Sequence, residues 1–550
     1  MRIILTVLVI LLFSIQTKAQ DSLKQAVKQA TKIIDIHFTE KEIDTLLEGV
    51  QENLSNFKLQ HKLSLNNNVP STLWQSPLLP NMQFNQKQKP IQWQIPANVE
   101  LPANKNNLAF YSIFQLASLI KNKKISSVAL TQFFIERLKK YNDSLFCVVT
   151  ITEDTALMQA KQADALLAKG IYKSVLQGIP YGLKDLFAVK GYRTTWGAAP
   201  YKNQVIDEDA FVYNQLKKAG AVLIAKFTLG ALAQGDKWFG GQTKNPWNLR
   251  FGSSGSSAGS ASATVAGLTP FAIGTETWGS IVSPSATCGA TGLRPTFGSI
   301  SRSGAMTLSW SLDKVGPICR SAEDAAIVFQ YIHGTDGKDL SAVNMPFNFP
   351  ANKKLSAMKI GYAKNYFDRI KDTTRSEWKV LNEFKKMGVT LIPVNFPDSG
   401  VYNFNIMDVV ISAECAAAFD DFTRNDIDDQ LTAQGKYDWP NTFRVARFIP
   451  AVEYINANRH RYLLMQKVNE VVNEFDAIIC PTRGSGNQTA ITNLTGHPVV
   501  VVPTGFDARN QLPTSITFIG KLFDEATILS VAKAYQQATK WHQTHPPKFQ

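Results

Sequence analysis

The chain has 550 residues, 44% of them apolar, with a formal net charge of +14. It can bury an ample core, and length alone allows two to four domains. Its one tight basic run, Lys121 to Lys124 around Asn122, reads as a solvated helix end, so no nucleic-acid partner is expected. No zinc-type Cys/His spacing, Walker A motif or dinucleotide fingerprint is present, and no metal or organic cofactor is implied.

In chain order, Met1-Arg2 is a short positive start, Ile3 to Ile15 is largely apolar, and Thr17-Lys18-Ala19 ends in a small residue. This pattern predicts a signal peptide over residues 1–19, cleaved after Ala19. The apolar run is short for a membrane span, which needs about 20 residues, and no lipobox cysteine accompanies it. The mature chain is therefore expected to be exported, periplasmic or secreted, and free of the membrane. Its five cysteines, Cys147, Cys288, Cys319, Cys415 and Cys480, allow at most two pairs, and the spacing assigns none.

Residues 20–105 have their own character. Thr39 and Glu42 form a capping-box pattern, and Ile43, Leu46, Leu47, Val50, Leu54 and Phe57 follow at helical spacing, which predicts an amphipathic helix. From about Ser64 to Asn107 the chain is rich in Asn, Gln and Pro. It reads as an extended arm on the body of the chain, anchored by Trp74 and Trp93. That body spans 106–550. It opens with one helix face of Ile113, Leu116, Ala117 and Ile120 and a second of Val128, Leu130, Phe134 and Leu138. Apolar runs such as Ala221 to Ala225 and Val499 to Val502 alternate with helical patterns further on, which argues for an α/β layer fold.

Chemistry concentrates in two segments. Gly178 to Phe187, GIPYGLKDLF, places Lys184 in an apolar run that reads as a buried strand or turn. Gly252 to Ser280, GSSGSSAGSASATVAGLTPFAIGTETWGS, offers many hydroxyls and no histidine, aspartate or cysteine. A serine that attacks a carbonyl needs a base, usually a histidine. Here Lys184 is the better candidate. A flexible Gly/Ser linker is the bland alternative, but ASATVAGLTPFAI continues into sequence suited to a buried helix and strand. Gly255 to Gly259 also fits G-x-S-x-G with Ser257 as an elbow nucleophile. That motif needs a hydrophobic strand before it, and NPWNLRFGSS is not one; the histidines that follow are His333, His460, His497, His542 and His545.

These segments resemble the amidase signature family, whose members carry G-[IV]-P-x-x-[LIV]-K-D, a Ser/Gly-rich loop and G-T-[DE]-x-x-G-S in that order. The likeness extends to KFTLGALA, GGQTKNPWN, CGATGLRPTFGSIS, SLDKVGPICRSAEDAA and NLTGHPVVVVPTGFD, and covers roughly residues 106 to 542. It implies one large α/β domain, a mixed β-sheet covered on both faces by helices. It also implies a Ser-Ser-Lys triad. Ser280 would be the nucleophile, Ser256 a relay held by a cis peptide bond, and Lys184 the base, with the backbone N–H groups of Thr277, Trp278 and Gly279 receiving the oxyanion.

Two registers of the serine loop are possible. NPWNLRFGSSGSSAGSASA fits the family when Gly255-Ser256-Ser257 takes the GSS role, which favours Ser256 over Ser253. The base must be neutral, and burial among Pro180, Leu183, Leu186 and Phe187 is expected to lower the pKa of Lys184 from its ordinary value of about 10.4. Asp185 would point to the opposite face of the strand. Trp278 and Val282 depart from the family pattern; the indole either walls a substrate pocket or packs on the loop. Leu355 to Leu463 is expected as an insertion, with Asp408 to Glu414 and Tyr437 to Phe448 lining the pocket.

The resemblance thus implies a serine amidase, a monomer or a homodimer, acting on a small-molecule or peptide amide. GTETWGSIV is similar to the variant seen in peptide amidases. The alternatives are a glutamyl-tRNA amidotransferase homologue of the A-subunit type, a catalytically silent binding member, and an esterase.

Overall fold

Apolar runs without polar alternation become strands buried on both faces. In β2 (Pro180–Lys184), β3 (Val222–Phe227), β8 (Lys314–Cys319) and β11 (Ala477–Pro481), every residue is buried. The computed structural model describes residues 21–60, 62, 66–69, 71–350, 354–400 and 404–550, so the expected signal segment 1–19 lies outside the described residues. The other strands are β1 (Val148–Ile151), β4 (Lys237–Trp238), β5 (Gly241–Gln242), β6 (Ala272–Glu276), β7 (Thr291–Arg294), β9 (Ile360–Ala363), β10 (Leu391–Val394), β12 (Val499–Phe506) and β13 (Pro513–Ile519).

Eleven strands form one sheet in the order β1-β3-β2-β6-β8-β7-β12-β13-β11-β9-β10, while β4 and β5 pair apart from it. The sheet is mixed. β2 runs parallel to β3 and β6, and β9 parallel to β10 and β11, whereas β6–β8, β7–β8, β7–β12 and β12–β13 are antiparallel. Helices Ala258–Val265 and Val282–Cys288, and helices Ala322–Ile332 and Glu525–Thr539, pack on its central strands. The fold is the α/β sheet-and-helix layering expected.

The pairing positions the chemistry. Because β2 and β6 are parallel, with Gly182 opposite Ala272, Lys184 and the pair Thr275-Glu276 arrive at the same rim. β8 runs the other way and starts at that rim, with Lys314 opposite Glu276.

The predicted helices are present with their caps. Ile113–Lys121 carries a full capping box between Ser112 and Gln115, and Ser127–Leu145 is capped by Ser126. Thr39 and Glu42 exchange their hydrogen bonds at 2.7 and 3.3 Å, starting helix Glu40–Gln60. That helix buries Ile43 and Leu47 but leaves Leu54 and Phe57 exposed, so only its first half packs.

The arm differs from expectation in one respect. Trp93 anchors it, donating to Gln330 and lying against Phe114 and Phe349 at centroid distances of 5.7 and 5.6 Å. Trp74 is 56% exposed and anchors nothing in the core.

Residues 355–463 differ as well. They supply β9 and β10 to the edge of the main sheet, so they are part of the sheet rather than an insertion set apart from it. Tyr437 and Phe448 point outward, while Trp439 and Phe443 are buried. All five cysteines are buried and unpaired.

Candidate active site

The site grows from the ends of β2 and β6 and from the loops that follow. Lys184 is fully buried, and its Nζ donates to Ser256 Oγ at 2.7 Å and to Thr275 Oγ1 at 2.9 Å. Burial lowers its pKa to about 7; the carboxylates of Asp313 and Glu276 act in the opposite direction and are outweighed. At neutral pH a large fraction of this amine is free base. Asp185, next in sequence, faces elsewhere as alternation requires. It pairs with buried Lys226 at 2.9 Å and accepts the Thr195 N–H at 2.9 Å.

The serine loop wraps tightly around this lysine. The Gly255–Ser256 peptide is cis, as the resemblance implies. A Cβ on Gly255 would lie 1.8 Å from the Gly235 carbonyl oxygen, so only glycine fits there. Ser253 turns its hydroxyl to the Ser254 carbonyl, and Ser256 is the serine that Lys184 meets.

Ser257 is occupied. Its Oγ donates to the Thr275 carbonyl at 3.1 Å and accepts the Thr275 N–H at 3.2 Å. Its own N–H donates to the Ser280 carbonyl at 3.1 Å, and this bond draws Ser280 beside the serine loop. No histidine bonds Ser257 among the described residues; His497 is buried elsewhere, with Nδ1 at 2.8 Å from Thr495 Oγ1. The elbow arrangement is therefore absent. Ser257→Ala should cost about 0.5–1.5 kcal/mol of stability through the lost hydrogen bonds and leave turnover within a few-fold. A loss of activity on the scale of a missing nucleophile, in a folded variant, would restore the elbow assignment.

Ser280 is 8% exposed and sits at the end of the turn Thr277-Trp278-Gly279. Gly279 has φ +89°, which favours glycine. Among the described residues, the N–H groups of Thr277, Trp278 and Gly279 donate to no protein acceptor. They remain available to an oxyanion. Trp278 is 39% exposed, so it is not packed into the core.

Three residues that sequence reasoning left without a role support this turn. Glu276 is fully buried; its Oε2 accepts the N–H groups of Ile281 and Val282 at 2.8 Å each, and its Oε1 accepts Asn493 Nδ2 at 2.7 Å. It thereby caps helix Val282–Cys288 and fixes the residue after Ser280. Asp313 accepts the Thr277 hydroxyl through Oδ1 and the Leu308 and Ser309 N–H groups through Oδ2, at 2.8 and 3.0 Å. Burial raises its pKa, against these hydrogen bonds. Thr275 orients the Lys184 amine. Glu276 stands at the [DE] position of the GTETWGS motif and Asp313 inside SLDKVGP, so the signal lay in segments already singled out.

Asp313 is tied outward too. Glu414 accepts the hydroxyls of Ser309 and Ser311 at 2.6 Å each and that of Tyr454 at 2.8 Å. Of the expected lining stretch 408–414, Glu414 thus acts as a brace behind the site.

Asp313→Asn should slow acylation of Ser280 by about 10- to 100-fold, since one of its buried partners loses its acceptor at about 1–3 kcal/mol. The rate of labelling by an acylating probe measures this; an unchanged rate in a folded variant would show that the Thr277 turn supports itself.

A buried lysine of lowered pKa, bonded to a serine on a Gly/Ser loop, thus stands beside a second serine that follows N–H groups with no protein acceptor among the described residues. The family model described as Amidase matches residues 129–487, and the chain belongs to this amidase signature family. The A subunit of the glutamyl-tRNA(Gln) amidotransferase of Coxiella burnetii (strain RSA 493 / Nine Mile phase I) is 34% identical over 483 residues, spanning 79% of this chain and 99% of that protein. Its counterpart from Marinomonas sp. (strain MWYL1) is 33% identical over 479 residues, spanning 79% and 98%. Among solved structures, the peptide amidase of Stenotrophomonas maltophilia is 27% identical with a TM-score of 0.71, covering 81% of this chain and 99% of that one. These relatives align over almost their whole length and leave about a fifth of this chain without a counterpart.

Proposed function

We propose that this protein is an exported serine amidase that hydrolyses a carboxamide, with a C-terminal peptide amide or a short linear amide as substrate. Ser280 Oγ attacks the carbonyl carbon while its proton passes through Ser256 to the neutral Lys184 amine. The oxyanion lies against the N–H groups of Thr277, Trp278 and Gly279. The tetrahedral adduct collapses, the C–N bond breaks, and the proton returns through Ser256 to the leaving nitrogen, which departs as ammonia or an amine. Water then attacks the acyl-enzyme by the same relay and releases the acid.

The observation that carries this reading is the hydrogen bond from buried Lys184 to Ser256 at 2.7 Å, with the amine held near a pKa of about 7. The peptide amidase likeness supports the substrate class. The apolar start, ending in Thr17-Lys18-Ala19, supports export.

The test is mass spectrometry after treatment with a fluorophosphonate. Our reading expects one adduct, on Ser280, and a mature chain that begins at Gln20. Labelling elsewhere, or none, refutes the assigned nucleophile.

The amidotransferase relatives support a second reading, in which the chain supplies ammonia within a larger assembly. Ammonia release separates the two. The amidase reading expects the isolated chain to act on peptide amides, and the amidotransferase reading expects glutamine to be used only when partner proteins are present.

A further inference from the structure

Two cavities meet beside the candidate active site. The inner one, about 320 Å³, is lined by Thr275, Thr277, Asp313 and Met306. The outer one, about 880 Å³, is lined by Trp196, Tyr201, Ala417 and Phe422. They share Glu208, Gly304, Ala305 and Met306 from the body and Asn68 from the N-terminal arm. Ser71 and Trp74 of the same arm complete the inner wall. Exposed Trp74 thus has a place: its indole borders the space next to Thr277.

Among the described residues, Asn67 ties the arm to the body at this point. Asn67 Nδ2 donates to the Thr307 carbonyl at 2.8 Å and to the Ala418 carbonyl at 3.4 Å, and its Oδ1 accepts the Thr307 N–H at 2.8 Å. The amide group imitates a peptide unit and satisfies both backbone groups of Thr307, so the arm crosses the passage between the two cavities at a fixed height. Residues 66–74 lie N-terminal to the region matched by the family model, 129–487.

We propose that the arm residues Asn67, Asn68, Ser71 and Trp74 form a specificity wall that restricts the inner cavity to short carboxamides and excludes bulky ones. The proposal rests on the amidase reading. Asn67 is a positioning residue, acting through the height at which it holds Asn68, Ser71 and Trp74. The inner cavity sits at the lower end of the range for small-molecule sites. It accepts a single compact amide-bearing group, while anything longer must pass beneath the arm towards Trp196 and Tyr201.

The experiment compares labelling rates of Ser280 in the full chain by two probes, diisopropyl fluorophosphate and a fluorophosphonate carrying a long biotinylated linker. Asn67→Ala removes the three hydrogen bonds and should raise the bulky-to-small rate ratio roughly tenfold. Asn68→Trp adds bulk at an exposed position and should lower the ratio without disturbing the fold. A ratio that stays within about twofold of the parent in both variants, or a fall in both rates together with no change in ratio, overturns the wall while leaving the amidase reading intact. Failure of both probes to label Ser280 in the parent chain overturns the amidase reading and the wall with it.

Discussion

Ser280→Ala is expected to reduce amide turnover on the order of 10⁶-fold, the scale on which an attacking serine contributes to acyl transfer. The residue is 8% exposed, its carbonyl is held by the Ser257 N–H, and the helix after it is capped by Glu276, so the variant should keep its fold. Measured ammonia release from a peptide amide, together with loss of the fluorophosphonate adduct, checks it. Turnover that survives within a hundredfold would mean that another serine carries the acyl group.

Lys184→Ala is the second large effect, a loss of about 10²–10⁴-fold, the usual contribution of a positioned general base. Its sharper signature is the pH dependence. The amine works as a base only when neutral, and its pKa stands at about 7. Acylation in the parent chain should therefore rise as pH increases through about 7 and level off above it. Lys184→Ala should lack that rise. Each carboxylate beside the lysine pushes its pKa upward, so Asp313→Asn should move the midpoint to lower pH while slowing the reaction. A parent profile flat between pH 5 and pH 9, or one that Lys184→Ala leaves unaltered, would remove lysine as the base.

That Lys184, Ser256 and Ser280 gather at one place was legible in the sequence because they sit in short segments whose composition is odd for any other purpose. A lysine among Pro180, Leu183 and Leu186 has no ordinary surface role, and a serine-rich loop that runs on into apolar residues is no linker. The strands were legible where burial on both faces leaves continuous apolar runs, as in β3 and β12.

What lay beyond the sequence is long-range pairing. Asn67 looks like any polar residue of an Asn-rich stretch until Thr307 is found opposite it. Trp74 and Trp93 look alike as anchors, yet only Trp93 meets a Phe114–Phe349 cleft to fill. Residues 355–463 read as an insertion because short strands such as Leu391–Val394 carry little periodicity of their own. Their partners, β9 and β11, decide their place in the sheet.

The Glu276 brace has a consequence for the order in which the enzyme matures during synthesis. Lys184, Ser256 and Ser280 leave the ribosome within one stretch of about a hundred residues, but the side chain that completes the Glu276 carboxylate is Asn493, more than two hundred residues later. The same holds for the arm, made early, whose contact at Ala418 is made late. The brace is thus a property of the folded chain as a whole, not of the segment that carries the two serines.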